Sequence, residues 1–220
     1  MIRLLSFLAV WLAVLGAVLA GPTAAGPARA ATPAPECSAA APDSIARQVC
    51  ESAALGELDR ELGRVYRRAL DSLRGGNAAG APMELLKAEQ LGWRRGLDSC
   101  LKAADRTACV TVAYLARIAE LRAAYPAAGA ETKDGISIGP VDFHCSDGSL
   151  ARLTFFRGTT PLAWLQRAPD SYLLEIRLSG SGARYGADTG KGPVEFWNKG
   201  DAATLTLPGE KPLDCRTGGG

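Results

Sequence analysis

Hydrophobic and polar residues follow three successive patterns along the chain. A nearly continuous apolar run extends from Leu4 to about Ala20. From Leu55 to Tyr125 apolar residues recur every three or four positions, which is the period of an amphipathic α-helix. Beyond Pro140 short apolar segments alternate with residues that favour turns, as in β-strands. The patterns predict an apolar leader, a helical region and a β region.

The helical period divides into three helices. The first ends at Gly75-Gly76, because glycine favours helix termination. The second starts near Pro82, since proline suits the first turn of a helix. The stripes consist of Leu55, Leu58, Leu62, Val65, Tyr66, Ala69, Leu70 and Leu73; of Leu86, Gln90, Trp93, Leu97 and Leu101; and of Tyr114, Ile118, Leu121 and Tyr125.

Five strands are predicted in the β region, and Gly, Pro and Asp residues separate them. Strands with this even spacing over about 75 residues favour one small antiparallel barrel or sandwich. The predicted strands are 141–145, 150–156, 172–178, 194–197 and 203–207.

The domain organisation follows from these patterns. We expect a signal peptide over 1–30, a helical domain over 36–125, a linker rich in Ala and Gly over 126–140 and a β domain over 141–216. Ala28-Arg29-Ala30 provides a signal-peptidase site of the A-x-A type. No cysteine ends the leader, so we expect an exported protein without a membrane anchor, located in the periplasm or secreted.

The charge balance excludes a nucleic-acid binder. Two of the 25 basic residues, Arg3 and Arg29, lie in the first 35 residues, which contain no acidic residue. The remainder therefore carries 23 basic and 23 acidic residues, whereas phosphate binding needs a basic surplus. The single histidine, His144, excludes a three-histidine zinc site.

All six cysteines follow the leader, which predicts three disulfides in an oxidising compartment. Cys145 and Cys215 bracket the β region, and a bond between them would stabilise it by roughly 4 kcal/mol through loop closure. Cys37, Cys50, Cys100 and Cys109 allow three connectivities, among which the sequence does not choose. C-x-x-C spacings are absent, so no metal site is expected.

Catalytic signatures are also missing. His144 lies in a predicted strand, and neither G-x-S-x-G nor a phosphate-binding loop accompanies it. Paired carboxylates cannot be read from sequence, but nothing favours an enzyme or a cofactor. The glycine-flanked Ser181 stands out, because glycines allow a loop to approach another surface closely. If this segment were an ordinary hairpin, Tyr185 and Trp197 would be core aromatics.

Segments 179–185 and 196–203, together with Phe143-His144-Cys145-Ser146-Asp147-Gly148 and Cys215, resemble the C-type lysozyme inhibitor domain of Gram-negative bacteria. The resemblance implies an eight-stranded β-barrel with one disulfide, Cys145–Cys215. It also implies that Ser181 and Lys199 enter the active-site cleft of lysozyme, with contacts from Gly182, Arg184 and Tyr185. The stretch from Gly186 to Pro193 is longer than in the family pattern.

The helical region resembles the LprI-type lysozyme inhibitor domain, although Leu97 stands where an arginine is common. The matching residues are Val49, Cys50, Leu58, Asp59, Tyr66, Gln90, Trp93, Cys100, Cys109, Tyr114, Arg117 and Ile118. The expected architecture is thus a disulfide-stapled helical bundle followed by a small antiparallel β-barrel. The expected function is inhibition of C-type lysozyme, which protects peptidoglycan. An envelope binding or assembly module is the alternative, and a peptidoglycan-acting enzyme is a weaker one.

Overall fold

The computed structural model describes residues 35–74 and 80–218. Within these residues a helical part is followed by eight β-strands. The leader over 1–30 and the helix end at Gly75-Gly76 lie outside the described residues. The helices are α1 (Pro35–Ala39), α2 (Ile45–Glu51), α3 (Ala53–Arg74), α4 (Gly80–Gly96), a 3-10 helix (Leu97–Lys102), α5 (Arg106–Ala124) and α6 (Pro126–Gly129).

The three predicted amphipathic helices are present as α3, as α4 with the 3-10 helix that continues it, and as α5. The apolar stripe of α3 is buried from Leu55 to Ala69. Asp105 caps α5, because its carboxylate accepts a hydrogen bond of 2.8 Å from the backbone N–H of Ala108. The third helix therefore begins about two turns earlier than its predicted stripe at Tyr114.

Three disulfides cross-link the described residues. Cys37 is bonded to Cys50 and Cys100 to Cys109, so each bond joins neighbouring segments of the helical part. The third joins Cys145 to Cys215, the pair that the family resemblance implies. These two residues face each other on the first and last strands, and the bond closes the barrel.

The strands form one closed antiparallel barrel in which each strand pairs with its neighbours in sequence and the eighth pairs with the first. Side chains of Phe143, Leu153, Leu165, Leu174 and Phe196 fill its interior. The strands are β1 (Ser137–Cys145), β2 (Leu150–Phe156), β3 (Leu162–Arg167), β4 (Asp170–Arg177), β5 (Ala183–Thr189), β6 (Gly192–Lys199), β7 (Ala202–Thr206) and β8 (Leu213–Thr217).

Helices cover part of the outer surface of the barrel. Phe156, Leu162 and Trp164 belong to the same buried cluster as the stripes of α3 and α5. Trp164 is only 7% exposed, although its neighbours Ala163 and Leu165 point into the barrel. Outward-facing side chains of β2 and β3 are thus buried beneath helices, in an apolar cluster that is separate from the one inside the barrel.

A buried polar network fixes the first strand against the helices. The carboxylate of Glu61 on α3 accepts hydrogen bonds from the backbone N–H groups of Ile136 and Ser137, and from the Ser137 hydroxyl. Arg122 on α5 donates to the carbonyl oxygens of Gly129, at 2.7 Å, and Gly139, at 2.6 Å. The segment 126–140, expected to be a linker, therefore contains α6 and the start of β1, both bonded to the helical part.

No helix among the described residues is long and apolar enough to cross a membrane.

Candidate functional site

The barrel topology brings the two motif segments together at one end. Since neighbouring strands are antiparallel, the connections after β2, β4 and β6 lie at the same end of the barrel. The second of these is the serine loop, residues 178–182, and the third is the turn at residues 200–201. Ser181 therefore lies beside Lys199, which ends β6. Both residues are exposed.

The backbone of Ser181 is held by hydrogen bonds within the site. Its N–H donates to the Ser179 hydroxyl at 3.4 Å, and its carbonyl oxygen accepts from the same hydroxyl at 2.7 Å. The indole N–H of Trp197 donates to that carbonyl at 2.9 Å. The serine loop is thus attached to β6 through the Trp197 side chain.

Gly182 allows the serine loop to lie directly against β6. Its φ of +68° is in the left-handed region that favours glycine. A Cβ at this position would overlap the carbonyl oxygen of Asn198 and would lie 2.9 Å from Lys199 Cγ. Here a glycine is required both by its backbone conformation and by the close approach of the two segments.

Lys199 rests on the outer face of the barrel. Its ammonium lies 3.7 Å from the centroid of the Trp197 ring, within the range of a cation–π interaction. Next to it, the Asn198 side chain donates to the Gly200 carbonyl at 2.9 Å and stabilises the turn. The structure therefore brings Ser181, Gly182 and Lys199 together around one tryptophan ring.

The remaining two predicted contact residues lie in β5 and face opposite ways. Arg184 points to the outer surface, where it forms an ion pair with Glu195; the hydrogen bond to this carboxylate raises the pKa of Arg184. Tyr185 is buried inside the barrel, 5.5 Å from Phe155 between ring centroids, and burial raises the pKa of its hydroxyl. Arg184 is thus close to the exposed site, whereas Tyr185 supports β5 from the interior.

The additional length between Gly186 and Pro193 does not disturb the site. These residues extend the β5–β6 hairpin, in which Thr189 pairs with Gly192 at the far end of the barrel. Ala183 still pairs with Asn198 at the near end. The register between the serine loop and Lys199 is therefore set at the end that the extension does not affect.

Sequence reasoning missed two features of this end of the barrel. Trp197 is half-buried on the outer surface, and not a core residue like Tyr185. The alternation along β6 carries the signal, because Phe196 points inward and its neighbour must point outward. Leu178, at the start of the serine loop, is 98% exposed. Its full exposure beside Ser181 gives the site an apolar element.

His144 and Asp147 do not form a catalytic pair. His144 is exposed on β1, where it pairs with Leu150 and Arg216 on the neighbouring strands. Asp147 accepts hydrogen bonds from Ser149 and Arg167, and these bonds lower its pKa to about 2. Within residues 35–74 and 80–218, no three His, Cys, Asp or Glu side chains are grouped so that they could hold a metal ion.

A cavity of about 290 Å³ lies between the first turns of α3 and α5 and the outer face of the barrel. Its lining includes three carboxylates, those of Glu57, Asp105 and Glu175. Hydrogen bonds from Thr159 hold the pKa of Glu57 below its ordinary value, and Asp105 caps α5. The carboxylates of Glu57 and Asp105 are thus already bound in hydrogen bonds that stabilise the fold.

The barrel and its paired motifs match the model of a known inhibitor family. Residues 143–214 match the family described as membrane-bound lysozyme inhibitor of c-type lysozyme. This range includes the serine loop, Trp197 and Lys199, and it supports a lysozyme-inhibitor role for the protein.

Similarity over nearly the whole chain assigns the protein to a narrower family. It is 31% identical over 208 residues to lipoprotein LprI of Mycobacterium bovis and to lipoprotein LprI of two strains of Mycobacterium tuberculosis. The aligned region covers 93% of this chain and 94% of each relative. The chain belongs to the LprI family, and both resemblances inferred from the sequence are confirmed. No solved structure matches it significantly.

Proposed function

We propose that the protein inhibits c-type lysozyme by inserting the serine loop and Lys199 into the active-site cleft. The observation that carries the proposal is the adjacency of Ser181 and Lys199 at one end of a barrel that matches a family described as lysozyme inhibitors. Both residues are exposed, and the segments that carry them are fixed to each other by Trp197 and Gly182.

The chemistry of the two side chains suits the cleft of a lysozyme. The enzyme uses two carboxyl groups, of which an apolar pocket keeps one protonated while the other is ionised. The Ser181 hydroxyl can accept a hydrogen bond from the protonated acid and donate one to a carboxylate. The Lys199 ammonium gives a charge-assisted bond to the ionised group. No bond needs to be broken, because occupation of the cleft excludes the glycan.

The positions of Ser181 and Lys199, and not the overall charge of the barrel, provide the specificity for lysozyme. Residues 143–215 contain eight basic and eight acidic side chains, so the barrel has no net attraction for a charged partner. We therefore infer competitive inhibition that depends on shape and on two polar contacts. We also infer that the chain is an inhibitor and not an enzyme, because residues 143–214 match a family described as lysozyme inhibitors.

Substitution of the two central residues tests the proposal. Ser181→Ala and Lys199→Ala should each weaken inhibition by about 2 kcal/mol or more, which corresponds to roughly 30-fold. Ser171→Ala and Lys191→Ala are matched controls, because both residues are exposed at the opposite end of the barrel. Inhibition constants for cell-wall lysis provide the measurement. Unchanged inhibition in both site variants would refute the site assignment.

An extracytoplasmic location fits the relatives, which are named lipoproteins. We propose that residues 1–30 direct export and that the mature protein acts in the periplasm or outside the cell. Cys37, the first cysteine of the sequence, is bonded to Cys50. This supports a mature form without a lipid on that cysteine. Fractionation of cells and the mass of the mature N-terminus test both points; a mass that includes a lipid would contradict the second.

A further inference from the structure

We propose that Trp197 is a positioning residue for inhibition, which sets Ser181 and Lys199 at a fixed separation before lysozyme binds. The inference rests on the proposed function, because it explains how the two contact residues are held. In this inference Trp197 affects the binding of lysozyme only through Ser181 and Lys199.

The side chain of Trp197 does not belong to the apolar cluster inside the barrel. Phe196 and Val194 on the same strand point into the core, whereas Trp197 lies half-buried on the outer surface. Its neighbours across the sheet are Arg184 on β5 and Thr204 on β7. Its ring therefore contributes little to the interior of the barrel, whereas its hydrogen bond and its cation–π contact both join residues of the site.

Two different parts of the ring make those contacts. The N–H at the ring edge donates to the Ser181 carbonyl at 2.9 Å. The face of the ring lies 3.7 Å from the Lys199 ammonium. One contact lies in the ring plane and the other is perpendicular to it, so the two do not compete. The rigid indole ring thereby fixes the positions of Ser181 and Lys199 relative to each other.

This arrangement leaves the functional atoms available. Trp197 binds the backbone carbonyl of Ser181, and not the hydroxyl that would meet lysozyme. The ammonium of Lys199 has three N–H donors, and the ring occupies only one side of it. A long lysine side chain loses conformational freedom when it binds a partner, and an ordered lysine loses less of it on binding. Trp197 therefore favours binding by ordering Lys199 in advance.

Two substitutions separate the two contacts. Trp197→Phe keeps an aromatic face for Lys199 but has no N–H for the Ser181 carbonyl. Trp197→Leu lacks both. We expect the inhibition constant to increase about threefold for Trp197→Phe and about tenfold for Trp197→Leu, from typical contributions of one hydrogen bond and one exposed cation–π contact. Thr204→Ala, at the cross-strand neighbour on the same outer face, should leave inhibition unchanged.

A spectroscopic readout distinguishes positioning from general stabilisation. In the free protein, the ring current of Trp197 should shift the Lys199 ε-CH2 proton resonances upfield. The shift should persist in part in Trp197→Phe and disappear in Trp197→Leu, while circular dichroism and the urea midpoint show that both variants fold. Unshifted Lys199 resonances in the unmodified protein would overturn the inference.

Coupling between residues provides the final test. If Trp197 acts through Lys199, the loss caused by Trp197→Leu should shrink about threefold in a Lys199→Ala background. A full, multiplicative loss in the double variant would mean that Trp197 does not act through Lys199, and the inference would be wrong. Normal inhibition by Trp197→Leu, alongside weakened Ser181→Ala and Lys199→Ala, would overturn the inference and leave the proposed function intact. Normal inhibition by both Ser181→Ala and Lys199→Ala would refute the proposed site, and the inference about Trp197 would then also be wrong.

Discussion

Gly182 provides the most specific structural prediction, since a single methyl group there should separate the serine loop from β6. In Gly182→Ala the new Cβ would overlap the Asn198 carbonyl oxygen. It would also lie 2.9 Å from Lys199 Cγ, about 0.5 Å closer than the 3.4 Å at which ordinary contact begins. The loop must therefore move away from Lys199.

Two terms set the expected loss of stability. A left-handed backbone costs an alanine roughly 1–2 kcal/mol. Overlap in a packed position adds about 1–3 kcal/mol. We expect the free energy of unfolding of Gly182→Ala to fall by about 2–5 kcal/mol, the sum of these two terms. In addition, the inhibition constant of the folded variant should increase at least about tenfold, because a displaced Ser181 carbonyl loses its hydrogen bond to Trp197.

Two glycines in the same region provide matched controls. Gly200 has a φ of +64° but no atom within 4 Å of an added Cβ, so Gly200→Ala reports the backbone cost alone, about 1–2 kcal/mol. Gly180 has open space around it, and Gly180→Ala should change stability by less than about 0.5 kcal/mol. Urea unfolding measures all three variants, and the Trp197 indole N–H resonance reports the loop position. Equal losses in Gly182→Ala and Gly200→Ala would show that the close approach to β6 has no energetic role.

Two further predictions concern an exposed and a buried side chain. Leu178→Ser should weaken inhibition about tenfold while leaving stability unchanged, because this fully exposed leucine can be buried only by a partner. Leu85→Ser, at another exposed leucine on α4, is the control. An equal effect of both substitutions on inhibition would contradict a contact between Leu178 and lysozyme. Burial opposes ionisation of Glu61, but hydrogen bonds from Arg64 and Ser137 outweigh it and hold its pKa below the ordinary value of 4.5. Its contribution to stability is thus complete above about pH 4.5 and is lost as the pH falls further. Urea unfolding from pH 6 to pH 3 should show a smaller pH dependence in Glu61→Gln, and an unchanged dependence would contradict this role.

The helices could be predicted because their burial is one-sided. The stripe from Leu55 to Ala69 faces the core while the opposite side of α3 is polar, so the period is visible in the sequence. Alternating burial likewise explains why β6 and β7 were found, because buried and half-buried residues alternate along both strands. Pairing among Cys37, Cys50, Cys100 and Cys109 depends on distances in space, and sequence separation does not determine it.

The three strands that were missed lack a visible alternation for different reasons. In β3, Ala163 and Leu165 face the barrel interior while Trp164 lies beneath helices, so both faces are apolar. Gly186 and other small residues weaken the pattern of β5. The short β8 carries charged side chains on either side of Cys215. Because helices bury the outer face of β3, its sequence lacks the alternation by which a strand is recognised.

The polar contacts between the helical part and the barrel could not be predicted from the sequence either. Glu61 and Ser137 are far apart in the chain, and Glu61 looks like an ordinary surface residue of an amphipathic helix. The candidate site was easier to find, because its residues lie in two short segments. The role of Trp197 needed the register of Ala183 with Asn198, which only the barrel provides.

Titration of a c-type lysozyme with the purified mature protein tests the central claim most directly. Lysis of bacterial cell walls should fall to zero as the protein is added, and the inhibition should be competitive with the glycan substrate. The Ser181→Ala/Lys199→Ala double variant should require at least about 100-fold more protein for the same effect. Full lytic activity in the presence of excess unmodified protein would contradict the account.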